Sequence, residues 1–168
     1  ATTASRQTLF TGEATRQAGL LLKEALTTKS IEELEGTEYE GEYNGITDGL
    51  NSGKEHPRNH VAYAFATQVV TLNDENKIEK VIAAHDIGKA INPMNVEGQV
   101  EGGVVMSLGY ALTEDYVMND GYLKSKFGTL GLWKAPMIPE IDVKLIEKNP
   151  RALAFGAKGI GEISSIPT

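Results

Sequence analysis

The pattern of apolar and polar positions predicts two main helices. In the first, small and apolar side chains recur every three or four residues, as on one buried helix face: Ala14, Ala18, Leu21, Leu22, Ala25 and Leu26. We expect this helix near residues 12–28, with Thr11 as its N-cap. The second helix is predicted from Asn92 as N-cap and Pro93 at the first helical position to about residue 112.

Alternation of apolar and polar positions predicts the strands. It is clearest in residues 60–72 and 77–86, which an Asn-Asp-Glu-Asn turn joins, and it recurs in 37–43 and 141–145. An Asn-Asp-Gly turn at 119–121 predicts a further hairpin within 113–126. The expected fold class is therefore α+β, with mixed or antiparallel sheet hairpins packed against two main helices.

Length and composition narrow the function. The 168 residues suffice for one domain, and we interpret 1–168 as a fragment of a larger subunit. The net charge of −7 argues against nucleic acid or an anionic membrane as the main partner. The absence of cysteine excludes cysteine-ligated iron–sulfur clusters from this chain. No signal-peptide pattern or membrane-length apolar run is present, so a cytoplasmic location is expected.

Glycines interrupt the second predicted helix. Gly98, Gly102, Gly103 and Gly109 lie inside it, and each interior glycine costs roughly 0.8–1 kcal/mol relative to alanine. Close approach of a ligand or of another backbone would compensate for this cost. Gln99 shares a helix face with Gly102 and Gly103, and its amide could bond a heterocycle. Tight packing between protein segments explains the same glycines, so both interpretations stay open.

A second glycine-rich stretch, residues 156–162, ends in Glu162. A carboxylate held close to a bound group by bare backbone can act as a general base, although most such glutamates are solvated surface residues. The His85-Asp86 pair ends a predicted strand. We favour an aspartate that fixes a turn over a hydrolase site with Ser107, because no nucleophile-elbow signature is present. The polar residues 1–10 suit an anionic ligand such as a phosphate or pterin, or form a frayed terminus.

Three motifs in order resemble one family. They are TASRQT at 3–8, HDIG at 85–88 followed by NP at 92–93 and EGQVEGG at 97–103, and GAKGIGE at 156–162. Together they are similar to the C-terminal part of the molybdopterin-binding subunit of molybdenum hydroxylases, the xanthine dehydrogenase and aldehyde oxidase family. Residues 163–165 depart from this pattern, because the family often has prolines there.

The resemblance implies roles for particular residues. Glu162 matches the glutamate that acts as base toward a metal-bound hydroxide, and Gln99 matches a glutamine near the cofactor. The remaining expected contacts to the cofactor are two groups, the polar start and the glycines: Ala4, Ser5, Gln7, Gly102, Gly103 and Gly159. The implied cofactor is molybdenum–molybdopterin, in mono- or dinucleotide form, and no side chain of this chain is expected to ligate the metal.

The resemblance also implies an activity. It predicts part of a hydroxylase that oxidises purines such as xanthine or hypoxanthine, or a related N-heterocycle, with water as the oxygen source. An aldehyde- or nicotinate-oxidising member and a non-catalytic assembly module are the alternatives. The expected partners are the remainder of the subunit, iron–sulfur and flavin (FAD) subunits or domains, and a small heterocyclic substrate. The fragment alone is expected to be inactive.

Overall fold

The computed structural model describes residues 5–126, 128, 130–148, 150 and 153–166. Two helices and five strands form its frame, together with four short 3₁₀ turns. In chain order the helices and strands are α1 (Gln7–Ala25), β1 (Phe65–Leu72), β2 (Ile78–Asp86), α2 (Pro93–Leu112), β3 (Met118–Asn119), β4 (Tyr122–Leu123) and β5 (Glu140–Ile146).

The core lies between a three-stranded sheet and α2. The strand order is β1-β2-β5, with β1 antiparallel and β5 parallel to the central β2. Alternate residues of β2 face the helix, so that Val81 and Ala83 pack against Val100 and Val104 of α2. The expected α+β class, with mixed and antiparallel pairing and two main helices, is confirmed.

Helix α2 begins and ends where the sequence predicts. The Asn92 side chain accepts a hydrogen bond from the Asn95 N–H at 3.1 Å, and Pro93 occupies the first helical position. This cap satisfies one of the N–H groups that a helix start leaves unpaired. The β3–β4 hairpin is also confirmed, and its turn residues Asp120 and Gly121 both have positive φ.

Helix α1 differs from its prediction. It begins at Gln7 rather than near residue 12, so Thr11 lies inside the helix and is no cap. The buried side chains are Leu9 and Glu13, near its start. Leu21, of the predicted apolar stripe, is 47% exposed. The first turns of α1 therefore attach it to the rest of the protein. The leucine-rich half of the helix is not covered by other described residues.

The strand predicted at 37–43 is wrong. These residues have no strand pairing and lie along α1 instead. A Cβ at Gly41 would lie 2.0 Å from the Ala14 carbonyl oxygen, so the segment touches the helix backbone directly. Neither α1 nor α2, the two long helices of the described chain, has the sustained apolar length that a membrane crossing needs.

Candidate functional site

One cleft collects residues that lie far apart in the sequence. It has a volume of about 570 Å³ and is bounded by the starts of α1 and α2 and by the glycine loop, residues 156–162. The predicted site residues on its wall are Ser5, Gln7, Gln99, Gly159 and Glu162. The fold thus brings together the three motifs that the sequence separates by up to 157 positions. Ala4 lies outside the described residues.

A second depression continues this cleft along α2. It has a volume of about 630 Å³, and Gln99 and Gly161 border both spaces. A Cβ at Gly98 or Gly102 would meet nothing within 4 Å, so bare helix backbone faces open space there. A Cβ at Gly103, by contrast, would lie 1.9 Å from the Ser164 hydroxyl oxygen. The two glycines therefore differ in their surroundings: Gly102 borders open space, whereas the missing side chain of Gly103 makes room for Ser164.

Glu162 lies at the end of the glycine loop, on the edge of the cleft. Its side chain is exposed, and its carboxylate forms no hydrogen bond or ion pair within the described residues. Its backbone N–H donates to the Ser5 hydroxyl oxygen at 3.2 Å. A Cβ at Gly159 would lie 2.9 Å from the Ser5 carbonyl oxygen, and one at Gly161 would lie 2.6 Å from the Ser5 hydroxyl. Bare backbone therefore lets the loop press against Ser5 and leaves the Glu162 carboxylate available.

Backbone strain borders this loop. Ser5, Ala154 and Phe155 have φ of 49°, 53° and 57°, in the left-handed region that side chains rarely adopt. Such residues cost of order 1–3 kcal/mol each and concentrate at functional sites. The Ala154 N–H donates to the Glu13 carboxylate at 3.0 Å, and the Arg16 guanidinium donates two further bonds to it. No sequence pattern points to burial of Glu13, because this residue does not belong to the apolar stripe predicted for α1.

Electrostatics fix Glu13 in its charged form. The hydrogen bonds from Arg16 and from the Ala154 N–H lower the pKa of Glu13 to about 2, although burial opposes this. The Glu13 side chain is 1% exposed, so its carboxylate forms these hydrogen bonds inside the protein. These hydrogen bonds join α1, which begins at Gln7 two residues after Ser5, to the segment that leads into the glycine loop.

Asp86 fixes a turn, as the sequence analysis favoured. One of its carboxylate oxygens accepts the Gly88 N–H at 3.1 Å, and the other accepts the Lys158 ammonium at 2.5 Å. His85 is fully buried, which lowers its pKa, and neither ring nitrogen has a hydrogen-bond partner within the described residues. No Ser107–His85 hydrogen bond of the kind a hydrolase needs is therefore present between these described residues. Lys158, which sequence reasoning overlooked as a site residue, lines the cleft.

Comparison with known proteins gives this chain a family and several relatives. A family model described as the molybdopterin cofactor-binding domain matches residues 28–141. The xanthine dehydrogenase molybdenum-binding subunit of Escherichia coli O157:H7 is 33% identical over 98 residues, which are 54% of this chain and 12% of that protein. The nicotine 6-hydroxylase large subunit of Paenarthrobacter nicotinovorans is 36% identical over 89 residues, 51% of this chain and 11% of that protein.

Solved structures extend the likeness to nearly the whole chain. The aldehyde oxidoreductase from Desulfovibrio desulfuricans ATCC 27774 is 29% identical, with a TM-score of 0.73, over 97% of this chain and 19% of that one. The aldehyde oxidoreductase from Desulfovibrio gigas is 25% identical, with a TM-score of 0.78, over 97% of this chain and 20% of that one. The chain thus spans about an eighth of the curated relatives and a fifth of these two structures.

Proposed function

We infer, since this chain belongs to the molybdopterin cofactor-binding domain family of the molybdenum hydroxylases, that its cleft holds the cofactor and that Glu162 is the catalytic base. We further propose that residues 1–168 are part of the C-terminal molybdopterin-binding region of a larger subunit. One observation carries the proposal: Glu162 and Gln99 line a single cleft with Ser5 and Gln7.

The residues of the cleft fit a flat, polar, anionic ligand. Gly98 and Gly102 leave the surface of α2 bare, so that a ring system can approach its backbone. The amides of Gln7 and Gln99 offer donors and acceptors to the edge of a heterocycle, and the two helix starts that bound the cleft favour negative charge. When bound, the molybdenum–molybdopterin cofactor supplies the two-electron acceptor of the reaction.

Glu162 is then the base that accepts the proton released in the reaction. Its carboxylate, without partners in the described chain, accepts a proton from the oxygen nucleophile as that oxygen attacks an electron-poor carbon of the substrate. The Ser5 hydroxyl holds the Glu162 N–H, which keeps the carboxylate at the cleft edge. General-base help of this kind is worth about 10²–10⁴-fold in rate. Water is the oxygen source in this proposal.

The proposed substrate is a purine or a related N-heterocycle. This choice rests on the xanthine dehydrogenase and nicotine 6-hydroxylase relatives. Aldehyde oxidation is the second candidate, because the structures of two aldehyde oxidoreductases match 97% of the chain. In either case we propose that iron–sulfur and flavin groups on other domains or subunits carry the electrons away.

Substitution of Glu162 by glutamine in the full-length protein tests the proposal. The amide keeps the shape but accepts no proton, so turnover should fall about 10²–10⁴-fold while molybdenum content stays unchanged. Glu101→Gln, at an exposed position of α2, is the matched control and should retain wild-type turnover. Xanthine, nicotinate and benzaldehyde, assayed side by side, separate the substrate candidates. Near-normal turnover by Glu162→Gln would contradict the base, and a full-length protein without molybdenum would favour an assembly module.

A further inference from the structure

A partly buried side-chain contact joins the glycine loop to the end of β2. The Lys158 ammonium lies 2.5 Å from a carboxylate oxygen of Asp86, and the Lys158 side chain is only 9% exposed. The pair connects residues 72 positions apart. Exposed ion pairs are worth little because water screens them and their side chains are mobile. This one is largely shielded on the lysine side, so it can hold its geometry.

The backbones on either side of the pair are also locked together. The Lys158 N–H donates to the Ile87 carbonyl oxygen at 3.0 Å, and the second Asp86 oxygen accepts the Gly88 N–H. Gly88 has φ of +66°, and a Cβ there would lie 2.3 Å from the Gly156 carbonyl oxygen. The turn after β2 and the start of the glycine loop therefore touch with no room for a side chain between them.

This contact lies four residues before Glu162. Gly159 and Gly161 separate Lys158 from Glu162, and glycines lose more conformational freedom on ordering than other residues. A glycine-rich segment holds a defined path only when it is fixed at both ends. Its far end is held by the bond from the Glu162 N–H to Ser5, and its near end by Lys158.

We propose that the Asp86–Lys158 pair is a positioning device for Glu162: Asp86 holds Lys158, and Lys158 fixes the glycine loop that presents the carboxylate to the cleft. The proposal rests on the proposed function, because it assumes that the Glu162 carboxylate acts as the base. It gives the HDIG and GAKG motifs one shared role, in which neither Asp86 nor Lys158 needs to touch the substrate.

The test uses variants of the full-length, cofactor-loaded protein. Lys158→Met removes the ammonium and keeps an apolar stem, so the loop loses its near anchor. A misplacement of about 1 Å can cost about 10²-fold in rate. We therefore expect kcat to fall roughly 10- to 100-fold, with KM changed less than about threefold and molybdenum content unchanged. Lys158→Arg keeps the charge and should restore most of kcat.

Asp86→Asn is the second variant, because it preserves volume and removes only the charge. It should reproduce the fall in kcat, and the double variant should lose no more than the more impaired single one, since both remove the same contact. Lys80→Met is the matched control. Lys80 also lies on β2 and pairs with Glu140 and Asp142 of β5, away from the cleft. Its kcat should stay within about twofold of wild type.

The outcomes separate this proposal from the function on which it rests. Normal turnover by Glu162→Gln would remove the proposed function itself. An inactive Glu162→Gln with a normal Asp86→Asn would leave the function intact and overturn the positioning role. Loss of molybdenum or of thermal stability in step with kcat, without recovery in Lys158→Arg, would likewise overturn it, because the pair would then only support the fold.

Discussion

Two neighbouring glycines of α2 provide a sharp test of the packing described above. Gly102 and Gly103 have the same chemistry and helical setting, but their surroundings differ. A Cβ at Gly102 would enter open space, whereas a Cβ at Gly103 would lie 1.9 Å from the Ser164 hydroxyl oxygen and 2.7 Å from the Ser164 Cβ. Alanine at each position therefore adds one methyl group in contrasting environments.

The expected magnitudes follow from these distances. Alanine is favoured over glycine inside a helix by about 0.8–1 kcal/mol, so Gly102→Ala should be neutral or stabilising. At Gly103 the same gain is opposed by overpacking, which costs about 1–3 kcal/mol. Ser164 is fully buried and cannot swing away. Its carbonyl oxygen also accepts a bond from the Gln68 amide at 2.8 Å. We expect the overpacking cost to win and Gly103→Ala to be destabilising.

Thermal unfolding of the full-length apoprotein measures the first effect. Gly103→Ala should melt below wild type, and Gly102→Ala at or above it. Cofactor content should separate the two variants in a different way. Gly102→Ala should lower the cofactor content of the full-length protein, because its methyl group would occupy the open surface of α2. Equal melting temperatures for the two variants would refute the assignment of Gly103 to packing. Full cofactor loading of Gly102→Ala would refute the assignment of Gly102 to the ligand surface.

Three further predictions concern anchors of the site. Glu13 contributes stability above its ordinary pKa of 4.5 that is lost as pH falls toward about 2; Glu13→Gln should therefore be less stable than wild type at pH 7 in urea titrations, by a margin that narrows between pH 4.5 and 2. Gly88→Ala should lower the melting temperature and kcat together, because its methyl group would meet the Gly156 carbonyl oxygen at 2.3 Å; an unchanged melting temperature would contradict this contact. Asn92→Ala should cost about 1 kcal/mol by loss of the cap of α2, and Asn92→Asp, which retains an acceptor, should retain most of that stability in the same unfolding assay.

Local chemistry made α2 and the hairpin predictable. Asn92 and Pro93 are strong start signals, and Asp120-Gly121 suits a tight turn in which both residues have positive φ. Ser30 and Glu33 form a capping box of the same local kind, because each backbone N–H donates to the other residue's side chain, at 2.8 and 3.3 Å. Each of these signals depends on residues within a few positions of one another.

Long-range contacts explain the failures. The alternation in 37–43 is typical of a strand, but Gly41 packs against the α1 backbone and no partner strand is present within the described residues. The start of α1 was misplaced because its buried residues include Glu13, whose burial depends on Arg16 and on the distant Ala154. Neither tertiary contact leaves a periodic trace in the sequence.

The candidate site was partly predictable from the sequence for a related reason. The glycine loop and Glu162 stand out because glycine is costly without a structural purpose, and the fold does place them beside Gln99 and Ser5. Two features of the site depend on which segments meet in space: the different surroundings of Gly102 and Gly103, and the Asp86–Lys158 pair. Spacing along one helix or one loop carries no record of that meeting.

The sheet order β1-β2-β5 leaves the outer edges of β1 and β5 without a neighbouring strand in the described chain. The unpaired backbone groups of such edge strands are templates for pairing with another molecule. Produced alone, the segment should therefore self-associate into insoluble material. Co-expression with the remainder of the larger subunit proposed above should reduce this aggregation, because assembly would then compete with pairing between copies.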